Sequence, residues 1–189
     1  MKGMIKDALI LFAITLIAGL MLGVVNDITK EPIAQQEQKA KNEACQNVFA
    51  AADSFEAQEL ADSAQIEQVL TDAGISGADI DELMAAKDAS GALLGYVITV
   101  TDHEGYGGDI QFSMGITNEG TLNGISLLSI SETAGLGMQA GDVLVPQFAD
   151  KNAYPYVYTK TGSTADNEID AISGATITTN AVTNGVNAG

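Results

Sequence analysis

From Ala8 to Val25 the chain runs through eighteen consecutive positions without a charge. At 1.5 Å per residue this run spans about 27 Å, close to the roughly 30 Å hydrocarbon core of a bilayer, and so predicts one transmembrane helix over 8–25. The run is longer than the apolar part of a secretory signal, and no small-x-small cleavage site precedes Asn26 and Asp27, which favours a retained anchor. No cysteine follows closely enough for a lipoprotein. Lys2 and Lys6 lie before the run and Asp27 just after it. This asymmetry predicts a cytoplasmic tip at 1–7 and export of everything beyond the helix.

Past the anchor the pattern turns amphipathic. Thr29 is placed to cap and Pro32 to occupy the first turn of a helix, and Ile33, Ala40, Ala44 and Val48 recur at helical spacing. The prediction is a helix from about Glu31 to Ala51, forming a stalk over 26–52. Cys45 falls near its apolar face and reads as a small buried hydrophobe. Residues 53–81 are acidic and alanine-rich, with a short helix or strand expected around Ile66 to Leu70. From Leu83 onward, LMAAKD and ALLGYVITVTD flank the turn residues 88–91, and DIQFSMGIT and TLNGISLLSIS flank 118–120. Apolar runs punctuated in this way predict successive hairpins of an antiparallel sheet. A further strand is expected at Tyr156 to Lys160. Helical spacing returns with Ile177, Ala181, Val182 and Val186. The reading is an α+β domain over 53–189, without internal repeats, on a membrane stalk.

Composition narrows the function. The 189 residues hold 25 Asp plus Glu against 8 cations, all lysine, for a net charge of -17. Without arginine and with that charge, binding of nucleic acid is excluded. Hydrophobic residues make up 46% and charged residues 17%, which excludes a disordered acidic chain. One cysteine and one histidine, His103, leave no intramolecular disulfide, no cysteine-held cluster and no histidine-based metal or hydrolase site; His103 alone stands as a candidate proton carrier. Beyond Val25, 24 acidic residues face 6 lysines. Such a surface is repelled by anionic headgroups, so attachment falls to the helix and to protein partners.

The stretch most informative about chemistry is Asp170-Ala171-Ile172-Ser173-Gly174-Ala175-Thr176. A turn of small residues opens a helix here, and its free backbone N–H groups can face an anion with little side-chain bulk in the way. The same residues also suit a plain helix start, and spacing alone leaves both readings open.

Asp170 through Thr176 resembles the flavinylation motif Asp-x-x-(Ser/Thr)-Gly-Ala-Thr of the FMN-binding domain found in the membrane-bound Rnf and sodium-translocating NADH:quinone oxidoreductase complexes. Ser131-Glu132-Thr133-Ala134-Gly135-Leu136-Gly137 is similar to that family's Glu-Thr-Pro-Gly-Leu-Gly element, with Ala134 in place of proline, and Gly105-Tyr106-Gly107-Gly108 is a weaker third element. With the anchor and the segment Ile28 to Ile33, the resemblance covers nearly the whole chain. It is strongest to the G subunit of the Rnf complex; the C subunit of the quinone-reducing complex shares the architecture but is typically longer.

The resemblance implies an electron-transfer subunit of an ion-translocating ferredoxin:NAD oxidoreductase in a bacterial cell membrane. It implies FMN joined by a phosphoester to Thr176, placed there by a separate flavin transferase that uses FAD. It further implies that Ser173, Gly174 and Ala175 shape the turn, that Asp170 fixes it or is read by the transferase, and that Glu132, Thr133, Leu136 and Gly137 lie near the flavin. Thr178 and Thr179 compete with Thr176 as attachment or capping residues, but the Gly-Ala-Thr order singles out Thr176; the five tyrosines include candidate stacking partners, although sheet packing explains most of them. The implied partners are Rnf subunits A, B, C, D and E. Such a chain is a module of an enzyme and not self-sufficient, because neither a nicotinamide-binding glycine fingerprint nor an iron-sulfur cysteine set is present. The competing readings are the quinone-reductase C subunit and a membrane-anchored binding domain without flavin.

Overall fold

In the computed structural model, which describes residues 2–189, one uninterrupted helix, α1 (Lys2–Val48), takes up the first quarter of the chain. Met1 and the side chain of Lys2, parts of the expected tip 1–7, lie outside the described residues. The expected break between membrane helix and stalk is absent. Thr29 does not cap a new helix; its hydroxyl turns back to donate to the carbonyl of Val25 at 2.8 Å, a bond available only inside a continuing helix. Pro32 therefore sits in the helix interior, where it costs one backbone hydrogen bond but not the helix.

The chain divides between Ala40 and Lys41 into two units. The first is helix alone, and it is long and apolar enough to cross a membrane. Leu9, Phe12, Leu16, Leu20 and Val24 are all exposed on it. A helix apolar on all sides and covered by nothing is unfavourable in water and suited to lipid.

The second unit, Lys41–Gly189, is built on a five-stranded antiparallel meander in the order β1 (Ser54–Gln58), β2 (Ala78–Lys87), β3 (Leu93–Asp102), β4 (Ile110–Thr117) and β5 (Leu122–Ser129). The two expected hairpins are β2–β3 and β4–β5. In the first turn the Asp88 carboxylate accepts from the Ser90 hydroxyl at 2.6 Å and from the Ala92 and Ser90 N–H groups at 2.9 and 2.8 Å, which holds its pKa below the usual carboxylate range. The segment between β1 and β2 forms a helix, α2 (Ser63–Asp72), because Asp62 caps it through the Ala64 N–H. The edge strand β1 has no counterpart among the elements expected from the sequence.

Each sheet face carries its own apolar cluster. On one face the end of α1 packs down, with Cys45, Val48 and Phe49 against Ala86 and Val97. Gly115 makes this approach possible: a Cβ there would lie 2.8 Å from the Val48 carbonyl and 3.0 Å from the Phe49 ring. Asn123 closes the helix end by donating to the same carbonyl at 3.0 Å. The other face holds the main core, in which Phe112, Val100 and Ile110 meet Leu144, Phe148, Ile169 and Val182. A short helix, α3 (Ala140–Val143), is flanked by two 3-10 turns; Leu144 joins it to the second of these, which ends in Phe148. Two short parallel strands, β6 (Val157–Thr159) and β7 (Glu168–Asp170), follow, and the C-terminal helix α4 (Thr176–Ala188) covers the sheet.

Replacing Gly115 by valine should push the end of α1 off the sheet and cost about 1–3 kcal/mol, the usual range for overpacking. A lower denaturant midpoint for the full chain in detergent checks this.

Candidate functional site

The turn from β7 into α4 is stitched from within by one threonine. Thr179 donates its hydroxyl to the Ala175 carbonyl at 2.9 Å and accepts from the Ile172 N–H at 3.1 Å. Gly174 takes the left-handed conformation at φ +79°, and a Cβ there would stand 3.1 Å from Leu136. Glycine thus serves both the bend and the close approach. Asp170, at the end of β7, accepts from the Ser163 N–H and hydroxyl, while Gln147 bonds its backbone N–H and C=O at 2.7 and 3.1 Å. These bonds fix where the turn begins.

Three threonines stand in the first turn of α4, and their hydroxyls differ. Those of Thr178 and Thr179 are buried and engaged: Thr178 donates to Glu132 Oε2 at 3.0 Å. Thr176 is half-buried, and its hydroxyl has no hydrogen-bond partner among the described residues. The first N–H groups of the helix also lack helical acceptors and present the positive end of the helix dipole.

Glu132 reaches across from the segment after β5. Besides Thr178, it accepts from the Gly107 N–H at 3.2 Å through Oε1. Three separate segments, 105–108, 131–137 and 174–178, thereby enclose a cavity of about 450 Å³. Its lining contains Glu132, Thr133, Leu136, Gly137, Gly174, Ala175 and Thr176 from the expected site residues, together with Tyr106, Ile177 and Thr178. Ser173 is exposed and, like Asp170, lies outside the lining. Tyr106 is the one tyrosine of five that faces this cavity; Tyr156 instead packs edge-on against Phe148 at 5.6 Å between ring centroids. The signal for Tyr106 is its place between glycines, which bring a chain segment close to a ligand. Gly107 illustrates it, since a Cβ there would fall 2.0 Å from the Ser131 carbonyl oxygen.

The rim is apolar and open. Tyr106 is 70%, Ile177 51% and Leu136 39% exposed. Among the described residues, Glu132 is the only formally charged one in the lining. A cavity of this size with aromatic and aliphatic walls, one free hydroxyl and unpaired helix N–H groups fits a mid-sized planar ligand that ends in an anionic group.

A second hollow of about 530 Å³ lies between α2 and the start of β2, and its lining includes Asp79, Asp81 and His103. His103 Nδ1 contacts Asp109 at 2.9 Å and Nε2 contacts Asp79 at 3.1 Å. Both partners are acceptors, so both ring nitrogens must carry protons to satisfy them. The hydrogen bond to Asp109, then that to Asp79, raises the imidazole above its ordinary pKa.

Residues 105–189 match the FMN-binding domain family, and residues 1–48 match the RnfG N-terminal region. The first match spans all three segments around the cavity. The chain is 34% identical to the G subunit of the Na(+)-translocating ferredoxin:NAD(+) oxidoreductase complex of Acetobacterium woodii, over 98% of this chain and 89% of that protein. It is 31% identical to the G subunit of the proton-translocating ferredoxin:NAD(+) oxidoreductase complex of Clostridium ljungdahlii, over 96% of this chain and 90% of the other. The crystal structure of Shewanella oneidensis NqrC covers 56% of this chain and 53% of its own at 21% identity, with a TM-score of 0.48.

The His103 pairs tie β2 to the start of β4 and should stabilise the fold most below the unfolded-state pKa of about 6.5, with the contribution lost as pH rises through the raised folded-state value. Substituting His103 by glutamine should therefore lower stability more at pH 6 than at pH 9. Because the side chain is exposed, the difference should stay below about 1 kcal/mol; denaturation curves at the two pH values check it.

Proposed function

We propose, because this chain belongs to the RnfG family of ion-translocating oxidoreductase subunits, that it is the membrane-anchored electron-transfer subunit of such a complex and carries FMN as a phosphoester on Thr176. The observation that supports the attachment residue is the inequality of the three threonines. Thr178 and Thr179 already spend their hydroxyls on Glu132 and on the turn, whereas Thr176 offers an uncommitted hydroxyl beside the cavity.

The residues present suit this cofactor. Tyr106, Leu136 and Ile177 give apolar and aromatic walls for a planar ring system, and Gly174 leaves the attachment turn clear of side-chain bulk. The first N–H groups of α4, which lack helical acceptors, would be available to a phosphate carried on Thr176. Thr176 has no base within hydrogen-bonding distance among the described residues, and an unassisted threonine hydroxyl is a weak nucleophile. A separate flavin transferase accordingly supplies the base. Thr176 gives up its hydroxyl proton there and takes the flavin mononucleotidyl group of FAD, while the P–O–P bond of FAD breaks and AMP leaves. When bound, FMN supplies one- or two-electron redox chemistry.

The helix α1 holds the domain to the membrane as a single span, with the N-terminal lysines in the cytoplasm and the α+β domain on the opposite side. Electrons reach and leave the site through partners, subunits A, B, C, D and E of the complex, since a single apolar helix carries no redox group across the bilayer.

Protein produced together with the flavin transferase should gain about 438 Da, the mass of FMN less water, on the peptide containing Thr176. The adduct should vanish in Thr176→Val and persist in Thr178→Val. An unmodified native chain, or an adduct that survives Thr176→Val, overturns the assignment. Co-purification with multispanning partners tests the assembly.

A further inference from the structure

We propose that Glu132 is a positioning residue of this site, which holds the 105–108 loop against the first turn of α4 and lowers the reduction potential of a flavin carried on Thr176. The proposal rests on the flavin reading above and adds to it a role for one carboxylate.

Both oxygens of Glu132 are committed to the protein. Oε1 takes the Gly107 N–H at 3.2 Å and Oε2 takes the Thr178 hydroxyl at 3.0 Å. The side chain therefore works between two walls of the cavity and has no oxygen set aside for a ligand. Its surroundings leave room for nothing else. A Cβ on Gly105 would sit 2.9 Å from Oε1, and one on Gly137 would sit 2.7 Å from the Glu132 Cβ and 2.8 Å from Oε2. Two glycines thus create the slot that this side chain fills, and the loop so held carries Tyr106, the aromatic member of the lining.

The same carboxylate is half-buried, and among the described residues no lysine or histidine lines the cavity. Adding electrons to a ring in this cavity adds negative charge next to a fixed negative charge without a counter-ion, and the reduced medium polarity strengthens the repulsion. The positive end of α4 acts in the opposite direction. Since that end is the same in every variant, comparing variants isolates Glu132.

Glutamine at 132 separates geometry from charge. Its carbonyl can still accept from Gly107, and its amide can donate to Thr178 once that hydroxyl turns to accept. Alanine removes both bonds. The experiment uses the full chain, flavinylated by its transferase and purified in detergent, with potentiometric titration followed by absorbance and with amide hydrogen exchange.

Glu132→Gln should keep the adduct and shift the potential in the positive direction by more than Thr178→Val, which keeps the charge. Glu132→Ala should speed exchange across 105–108. An unchanged potential in Glu132→Gln, a folded Glu132→Gln chain that takes no flavin, or unchanged exchange in Glu132→Ala each overturns the proposal. A native chain without any adduct sinks the flavin reading instead, and the exchange result then still tests what Glu132 holds in place.

Discussion

The seating of α4 on the sheet is the constraint on which the rest of the second unit depends. The helix presents small residues to the core: Ala181, Val182, Gly185 and Val186 are buried, and Gly185 lies so close to Phe112 that a Cβ would come within 2.9 Å of its ring. Close approach of this kind gives dense packing but little tolerance. Polar contacts then fix the helix along its axis. Toward its C-terminal end, Asn184 donates to Asp102 Oδ2 at 2.9 Å and to the Ser76 carbonyl at 2.8 Å. At its start, Thr178 meets Glu132. Asp102 is fully buried, and burial raises its pKa, against the opposing effect of the Asn184 and Glu104 hydrogen bonds. A buried carboxylate carries a desolvation cost that its hydrogen bonds only offset. Its position at the end of β3 nonetheless sets how far α4 can slide, and hence where Thr176 stands.

Much of this arrangement was legible in the sequence because the signals were local. The uncharged run 8–25, the turn residues 88–91 and 118–120 and the small-residue stretch before Thr176 each specify their structure within a few residues. Elements made by distant partners were not legible. The strand β1 has four exposed positions out of five and owes its form to pairing with β2, and β7 is three residues paired with β6. The turns around α3 are ordered by burial of Leu144 and Phe148 and have no periodicity to betray them. The helix α1 failed for the opposite reason. Thr29 and Pro32 gave a valid local signal for a helix start, but a helix already in progress absorbed both.

The site shows the same division. Its two principal sequence blocks are about forty residues apart, and nothing in either block says that Glu132 spans to Thr178. What the sequence carried was a set of glycines whose purpose appears only in three dimensions. Gly105 and Gly137 make the slot for Glu132, Gly107 passes against Ser131, and Gly174 bends the chain below Leu136. Tyr106 reaches the cavity because of this close approach, and no property of the residue itself distinguished it from the other four tyrosines.

A turn with three hydroxyls poses a selection problem for any reaction directed at one of them. Chemical identity cannot resolve it, since all are threonines within four residues. Environment can. A hydroxyl that donates to a carboxylate or a carbonyl in a buried site must break that bond before it can react, and leaving the acceptor unpaired costs about 1–3 kcal/mol. Thr178 and Thr179 both carry that penalty, and Thr179 would also release the Ile172 N–H that shapes the turn. Thr176 carries neither. The structural work assigned to its neighbours therefore makes their hydroxyls the costlier ones to release, and the same hydrogen bonds leave the hydroxyl of Thr176 uncommitted at the open side of a preformed turn.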